Sequence, residues 1–279
     1  MRAQSTDPRF LELIGGFAGK RVLVIGDLML DEFVWGRVSR ISPEAPVPVV
    51  NVTRETYYPG GAANVARNLR EFTREASIVG LTGMDVAGGR LLELLGATDI
   101  RTAGVVRDGE ASTTVKTRVI ARNQQVVRVD RERPQALSDA QLARVCEYLE
   151  QAVDEVDGIV VADYGKGFLT QLLADEICRL ARQHGKILTV DPHPPTSLVW
   201  RGATAVKPNR TEVFHAARLP VTEPVEPVCL DEALIEASRR LRTIWQAENL
   251  LVTLGDQGML LLEGEHEPVH LPARRPSDC

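Results

Sequence analysis

Two short segments carry residue types that bind phosphate groups and sugar hydroxyls. Residues 60–64 read Gly-Gly-Ala-Ala-Asn and open an apolar helix, and residues 207–212 read Lys-Pro-Asn-Arg-Thr-Glu. Paired glycines let a ligand approach the backbone closely, and free N–H groups at a helix start favour oxygen-rich groups. Asn64 can both donate to and accept from neighbouring hydroxyls. The two segments together suggest a site for a sugar and ATP, and a plain tight turn at Gly60-Gly61 is the alternative.

A third segment adds positive charge. Lys116, Arg118, Arg122 and Arg128 recur between residues 113 and 130. Side chains two residues apart share one face of a strand, so Lys116 and Arg118 lie together, and a reversal near Asn123 brings Arg128 opposite them. Arginine holds phosphate through paired N–H bonds, and the cluster therefore suits a sugar phosphate. A charged edge that prevents aggregation is the alternative.

Acidic residues follow three of the apolar runs. Asp27, Asp163 and Asp191 each end a run that is typical of a buried strand. Ligands of open α/β sheets bind outside the carboxyl ends of the strands, where these acids are expected. The segment 163–167, Asp-Tyr-Gly-Lys-Gly, adds a loop in which Lys166 can neutralise phosphate, although a simple strand-to-helix turn is equally compatible.

The elements that must position these residues alternate along the chain. A strand is expected at 21–27, an edge strand at 46–52 because of its prolines, and a pair of strands at 113–130. From the capping box at Ser138 onward, helices are expected after residue 138 and at 170–183 and 231–246, and strands at 158–163, 186–191 and 250–254. This order predicts an α/β fold with a mostly parallel sheet covered on both faces, and a separate small sheet.

Composition narrows the class of protein. The chain has 279 residues, 44% hydrophobic and 25% charged, with a net charge of −5, which argues against binding nucleic acid. Its four cysteines are far apart, as in a reducing cytoplasm rather than a disulfide framework. No signal sequence and no apolar run of the ~18 residues that a membrane span needs are found. A Walker P-loop and a G-x-G-x-x-G fingerprint after the first strand are also absent.

Taken in this order, the segments resemble the ribokinase-like (PfkB) carbohydrate kinases. The resemblance runs from about residue 21 to about residue 272. Residues 26–36 and 40–49 narrow it to the heptose 7-phosphate kinases, the kinase half of bifunctional enzymes of ADP-heptose synthesis for the lipopolysaccharide core. Residues 122–130 and 163–167 agree with this narrower match.

The resemblance implies a fold, a reaction and a partner. The fold would be a single three-layer α/β sandwich with a small β-sheet lid from strands at about 31–59 and 112–131. The reaction would transfer the ATP γ-phosphoryl group, with Mg²⁺, to the anomeric hydroxyl of D-glycero-β-D-manno-heptose 7-phosphate, giving the 1,7-bisphosphate. Relatives pair through the lid, so a homodimer is implied.

The resemblance also implies roles for individual residues. The sugar phosphate would contact Asp31, Gly60, Gly61, Asn64, Lys116, Arg118, Arg122, Arg128, Lys166 and Asp191. The nucleotide would contact Asn209, Arg210, Thr211, Glu212, Thr253, Gly255 and Gly258. Among these, Glu212 would reach Mg²⁺ indirectly.

The family's catalytic base is an aspartate in a Gly-Ala-Gly-Asp segment, which these 279 residues do not contain. Asp278 is not flanked by the required glycines, and a cytidylyltransferase-like second half is also absent. We therefore expect a truncated kinase domain that lacks the last part of the fold and is nearly inactive alone. The alternatives are a sugar-phosphate-binding or regulatory protein without catalysis, another sugar kinase of the family, and a fragment without function.

Overall fold

The computed structural model describes residues 8–122, 124–193 and 198–273. Within them the strands are β1 (Arg21–Gly26), β2 (Leu28–Ile41), β3 (Pro48–Gly61), β4 (Glu75–Gly83), β5 (Ile100–Asp108), β6 (Thr114–Ala121), β7 (Gln124–Arg131), β8 (Gly158–Ala162), β9 (Ile187–Asp191), β10 (Ala205–Val206), β11 (Asn249–Thr253), β12 (Met259–Glu263) and β13 (Val269–Leu271). The helices are α1 (Pro8–Phe17), α2 (Ala62–Arg70), α3 (Val86–Gly96), α4 (Asp139–Ala152), α5 (Gln171–Gln183), α6 (Arg210–Ala217) and α7 (Glu232–Trp245).

The main sheet is mostly parallel. Its strands lie in the order β13-β12-β11-β10-β9-β8-β1-β4-β5, and the seven from β11 to β5 pair in parallel. Only β12 and β13 run antiparallel to their neighbours. The apolar runs of β1, β8 and β11 are buried because helices cover the sheet, as expected for parallel strands joined by helical crossovers. The prediction of a mostly parallel α/β fold is confirmed.

Helices form the outer layers. Residues of α4, α5, α6 and α7, including Ile177, Phe214 and Leu241, pack into one core with inward side chains of β8, β9 and β11. Residues of α2 and α3, including Ala66 and Leu91, form a second core against β1 and β4. The two cores give the three layers of the sandwich.

Four strands make the separate small sheet, in the order β3-β2-β6-β7. The 14-residue strands β2 and β3 pair antiparallel, β2 and β6 pair in parallel, and β6 and β7 form a hairpin. Pro48 begins β3 at the sheet edge, where a missing N–H costs no ladder bond. Both the edge strand and the strand pair that the sequence predicted are confirmed, although Asn123 lies outside the described residues.

The capping box is confirmed as well. Ser138 accepts from the Gln141 N–H, and the Gln141 side chain accepts from the Ser138 N–H, so α4 begins as predicted. In contrast, the sequence patterns did not predict α1, because Pro8 and Gly15-Gly16 interrupt its short amphipathic pattern. Its apolar residues Phe10, Leu13 and Ile14 are exposed. None of the helices in the described segments is both long and apolar enough to cross a membrane.

Candidate active site

The buried carboxylate of Asp27 organises the base of the site. It follows β1 and accepts backbone N–H bonds from Tyr164 (2.8 Å), Lys166 (3.2 Å) and Phe168 (3.4 Å). Burial raises the pKa of Asp27, and the three N–H donors work against that rise. The carboxylate therefore fixes the path of the loop that carries Lys166.

The paired glycines shape the start of α2. Gly61 caps the helix with φ 57° and ψ −134°, and no side chain caps it. A Cβ on Gly61 would lie 2.5 Å from the Asp27 carbonyl oxygen, and one on Gly60 would lie 2.7 Å from Asp31 Oδ2. Gly61 therefore requires glycine, whereas a side chain at position 60 would first have to displace the side chains of Asp31 and Met29. Asn64 lies in the first turn of α2 with its side chain exposed, beside uncapped N–H groups.

Asp31 and Arg118 form an ion pair on the small sheet. Arg118 Nη1 donates to Asp31 Oδ1 over 2.5 Å, and the guanidinium carbon lies 5.2 Å from the centre of the Phe33 ring. Asp31 and Phe33 share a face of β2, and their neighbours on β6 are Lys116 and Arg118. The structure therefore brings a carboxylate and two cations to one face, as the spacing predicted.

A charge network links this face to the loop after β8. Lys166 Nζ lies 2.8 Å from Glu132 Oε2, and Lys116 Nζ lies 3.6 Å from the same atom and 3.3 Å from Asp130 Oδ2. Arg128 makes two bonds to Asp130, of 3.0 and 3.1 Å. The Lys166 ammonium lowers the pKa of Glu132. Two lysines therefore converge on one carboxylate, that of Glu132.

Arg122 lies apart from this network. It follows β6 at the turn, with φ 50°, and donates to the Val38 carbonyl over 3.3 Å. Six residues along a strand separate it from Lys116, which corresponds to roughly 20 Å. Within one chain the structure does not bring Arg122 to the Lys116 cluster.

The other predicted site residues lie at the carboxyl ends of β9, β10 and β11. Asp191 ends β9, and its Oδ1 lies 2.9 Å from Lys207 Nζ, just after β10. Asn209 pairs with Thr253 through a parallel bridge, and the Thr253 N–H donates to the Pro208 carbonyl over 2.9 Å. These contacts hold the two nucleotide segments next to each other.

The start of α6 is a second capping box. Asn209 accepts from the Glu212 N–H over 2.9 Å, and Glu212 accepts from the Asn209 N–H over 2.7 Å. An open cleft of about 460 Å³ lies beside it, lined by Asn209, Thr211, Thr253 and Gly255 among others. Gly258 has φ 93°, and a Cβ there would lie 2.1 Å from the Leu271 carbonyl oxygen. A glycine turn facing a helix N-terminus is suited to phosphate groups.

Arg210 borders this cleft, but its guanidinium is engaged elsewhere. It lies 2.6 Å from Asp231 Oδ2 and also donates to the Thr222 and Glu223 carbonyls. The Asp231 side chain is 2% exposed and that of Arg210 is 13% exposed. The structure therefore shows Arg210 joining α6 to α7, and the nucleotide contact that the resemblance implied for it remains a prediction.

Glu212 is the only predicted metal-associated residue. Burial raises its pKa, and nearby Asp191 adds to the rise. No group of three or more metal-ligating side chains is found in the residues that the structure covers. Glu212 is the carboxylate at the start of α6 that could contribute to a Mg²⁺ site, because Mg²⁺ is usually bound through one or two carboxylates together with phosphates and water.

Sequence reasoning missed two contributors. Glu132 bridges the two lysines, and Asp27 holds the Lys166 loop. The signal for Glu132 was its spacing of two residues from Asp130, which places both acids on one face of an extended segment. Asp27 was recognised as a strand-ending acid, but its use as a backbone acceptor depends on a loop 137 residues away.

The fold and this arrangement of strand ends define a ribokinase-like α/β protein. The crystal structure of phosphofructokinase-2 from Escherichia coli in complex with potassium superposes with a TM-score of 0.67 at 20% identity, covering 91% of this chain and 78% of the other. The structure of Arabidopsis thaliana ribokinase complexed with ribose and ATP has a TM-score of 0.63 at 15% identity, with 91% and 78% covered.

Sequence comparison identifies the family. The pattern of the pfkB family carbohydrate kinases matches residues 20–278. The "Bifunctional protein HldE" of Desulfatibacillum aliphaticivorans is 40% identical over 265 residues, which cover 94% of this chain and 53% of that protein. This chain thus spans about half the length of the curated relatives that it matches. It belongs to the pfkB family of carbohydrate kinases.

Proposed function

We propose that this chain is the kinase domain for a heptose 7-phosphate and that it uses ATP and Mg²⁺ to phosphorylate the anomeric hydroxyl. The resemblance of residues 26–36 and 40–49 to heptose 7-phosphate kinases supports this, as does the 40% identity to a protein named HldE. The product would be the 1,7-bisphosphate, an intermediate on the way to ADP-heptose.

The observation that carries the proposal is that a carboxylate and two ammonium groups lie together at the small sheet. Asp31, beside Gly60 and Gly61, offers a carboxylate to sugar hydroxyls. Lys116 and Lys166 offer two ammonium groups for a phosphate at the far end of the same sugar. A neutral sugar would not need the second group, so the pairing favours a sugar phosphate.

On the nucleotide side, ATP would lie along the cleft between Asn209 and Gly255. Its phosphates would face the start of α6, with Lys207 and Asp191 between them and the sugar. Bound Mg²⁺ would offset charge on the phosphates being transferred. The backbone N–H groups of α6 and the glycine turn would orient the chain of phosphates.

The 279 residues lack one group that the proposed reaction needs. These 279 residues have no Gly-Ala-Gly-Asp segment to supply the base and the amides that stabilise charge in transit. Alone, they are expected to bind the sugar phosphate but to transfer phosphate slowly.

We also propose a homodimer through the small sheet. Val126, Val127 and Val129 of β7 are exposed, although valine is more often buried. Pairing these apolar surfaces would remove them from water. Free thiols at Cys146 and Cys178 agree with the reducing cytoplasm that we propose as the protein's location.

Titration calorimetry of the 279-residue chain with D-glycero-D-manno-heptose 7-phosphate tests the proposal. We expect saturable binding, and about tenfold or greater weakening in Lys166→Met and in Asp31→Asn, because each change removes a charged contact to the ligand. Lys20→Met, an equal change at the opposite end of β1, is the control and should bind normally.

Two further measurements separate the alternatives. Tighter binding of fructose 6-phosphate than of the heptose phosphate would favour another sugar kinase of the family. ADP release is the second measurement, and normal turnover by the 279 residues would contradict the expected need for the missing base. If calorimetry detected no heat of binding with any sugar phosphate, both the kinase function and sugar-phosphate binding would be refuted.

A further inference from the structure

A groove behind the nucleotide cleft carries a positive charge that the proposed kinase reaction does not use. We call it the α6–α7 groove. One wall is the segment 198–201, the second is the end of α6 at His215 and Arg218, and the third is the end of α7 at Arg240 and Trp245. Its volume is about 450 Å³, within the range of small-molecule sites. Residues 194–197 lie outside the described chain, and the groove is defined without them.

Arginines dominate its polar lining. Arg201, Arg218 and Arg240 all line the groove in a protein whose net charge is −5. Among the described residues, Arg218 and Arg240 have no acidic group within 4 Å, whereas Arg201 lies 3.7 Å from Asp175. Glu212 is the one acid in the lining, and its carboxylate is engaged by the Asn209 N–H. Unpaired guanidinium groups around a concave surface favour an anion.

The floor supplies an apolar surface. Trp200 is fully buried beneath it, and its indole Nε1–H has no acceptor in the part of the chain that the structure covers and no surface open to the groove. Trp245 and Ile244 add apolar area beside it.

The groove is built on fixed walls. The Gln171 side chain makes two hydrogen bonds to the Val199 backbone, of 2.9 and 3.0 Å, and so ties the first wall to α5. The Gly202 N–H donates to the Trp245 carbonyl over 3.0 Å, which joins the first wall to the third. A ligand therefore meets a preformed surface and loses little free energy to ordering it.

Arg218 occupies a costly backbone position. It ends α6 in the left-handed region at φ 56°, where glycine or asparagine is normally preferred. An arginine there carries backbone strain that a glycine would relieve. Among the described residues its guanidinium makes no hydrogen bond or ion pair, so it is available to a ligand in the groove.

We propose that the α6–α7 groove binds a small phosphorylated anion, with Arg218 and Arg240 holding the phosphoryl oxygens and the exposed side chain of Ile244 contacting an apolar portion. The groove shares Glu212 with the proposed nucleotide site, but its arginines take no part in the proposed sugar and ATP contacts. Its test does not depend on phosphoryl transfer. The probe is inorganic pyrophosphate, which presents the phosphoryl group alone.

Tryptophan fluorescence gives a direct readout. The chain has three tryptophans, of which Trp200 and Trp245 line the groove and Trp35 lies in the small sheet. In a Trp35→Phe background, all the signal comes from the groove. At constant ionic strength we expect a saturable change in emission with pyrophosphate. No saturable change up to roughly 10 mM, where even millimolar binding would be seen, would overturn the proposal.

Variants locate the binding. Arg218→Gly should weaken pyrophosphate binding about tenfold while leaving the melting temperature unchanged or higher, because glycine suits φ 56°. Arg240→Gln should weaken binding by a similar factor. Arg144→Gln on α4 is the matched control and should bind as the parent does. Unchanged affinity in both groove variants, or loss of binding in Lys166→Met, would assign the ion to another site and refute the inference.

Discussion

Three strand-ending aspartates show how one residue type takes different roles in neighbouring positions. Asp27 accepts three backbone N–H groups and is buried. Asp163 accepts from the Gly165 N–H over 2.9 Å and so shapes the same loop. Asp191 instead pairs with Lys207 at the junction of the proposed sugar and nucleotide sites. The first two therefore hold the loop after β8, and the third forms a side-chain ion pair at the end of β9.

The sharpest prediction for a single residue concerns Gly61. Gly61→Ala would force a Cβ to within 2.5 Å of the Asp27 carbonyl oxygen at a backbone conformation that only glycine adopts readily. We expect the free energy of unfolding to fall by about 3 kcal/mol, combining backbone strain with displacement of the β1 end. Urea unfolding measures the change.

Gly89→Ala is the matched control for that experiment. Gly89 lies inside α3, and a Cβ there would meet nothing within 4 Å. Alanine is the better helix former, so this variant should be more stable by about 0.5–1 kcal/mol. Equal stability changes in the two variants would mean that the geometry at Gly61 imposes no requirement for glycine.

Among the elements, α6 serves three parts of the molecule. Its first turn, Asn209–Glu212, borders the nucleotide cleft, and its last residue reaches the α6–α7 groove. Between them, Arg210 fastens the helix to Asp231, which also caps α7 by accepting from the Leu234 N–H over 3.0 Å. An eight-residue helix has little stability of its own, so α6 depends on this link together with the packing of Phe214 in the core.

Asp231→Asn tests that link. Asparagine keeps the oxygen for the helix cap but turns an amide N–H₂ toward the Arg210 guanidinium and the Val225 N–H. Removing one partner of a buried ion pair should lower the free energy of unfolding by about 3 kcal/mol at neutral pH. Asp139→Asn, an exposed acid at the start of α4, should change stability by less than about 0.5 kcal/mol.

The effect of Asp231→Asn on stability should depend on pH. Burial raises the pKa of Asp231, but hydrogen bonds from Arg210, Leu234 and Val225 outweigh it and leave the pKa lowered. A lowered folded-state pKa adds stability above the unfolded value of 3.8, and that stability is lost as pH falls further. The difference in the free energy of unfolding between the parent and Asp231→Asn should therefore become smaller below about pH 4. If this difference stayed constant from pH 7 to strongly acidic conditions, Asp231 would not stabilise the fold through its ion pair with Arg210.

At the scale of the whole molecule, the small sheet is the proposed contact between two copies. All of β7 is exposed in one chain, including Val127 and Val129. Val127→Glu with Val129→Glu should convert a dimer to a monomer, because burying two carboxylates in an apolar contact is unfavourable. Light scattering after size-exclusion chromatography measures the mass.

The control for the assembly experiment is Leu172→Glu. Leu172 is equally apolar and exposed, but it lies in the first turn of α5 on the main body, where an acidic side chain is favoured by the helix dipole. It should leave the mass of the parent unchanged. A parent chain that is monomeric at all concentrations, or a double variant that stays dimeric, would contradict the proposed contact.

Much of the fold could be predicted from the sequence because local residue patterns and the order of the elements along the chain indicate the same fold. The apolar runs ending at Asp27, Asp163 and Asp191 became β1, β8 and β9, and the Ser138 capping box began α4. The spacing of Lys116 and Arg118 correctly predicted a shared face. Helix α1 escaped prediction because its glycines and proline conceal a short amphipathic pattern.

The sequence by itself determined the family and the parallel sheet, since each depends on short patterns or on chain order. Only the tertiary structure decided how individual charges are used. It engaged Arg210 with Asp231, separated Arg122 from Lys116, and joined Lys116 to Lys166 through Glu132. Ion pairing depends on distances of a few ångströms between residues far apart in the chain, and no local pattern records those distances.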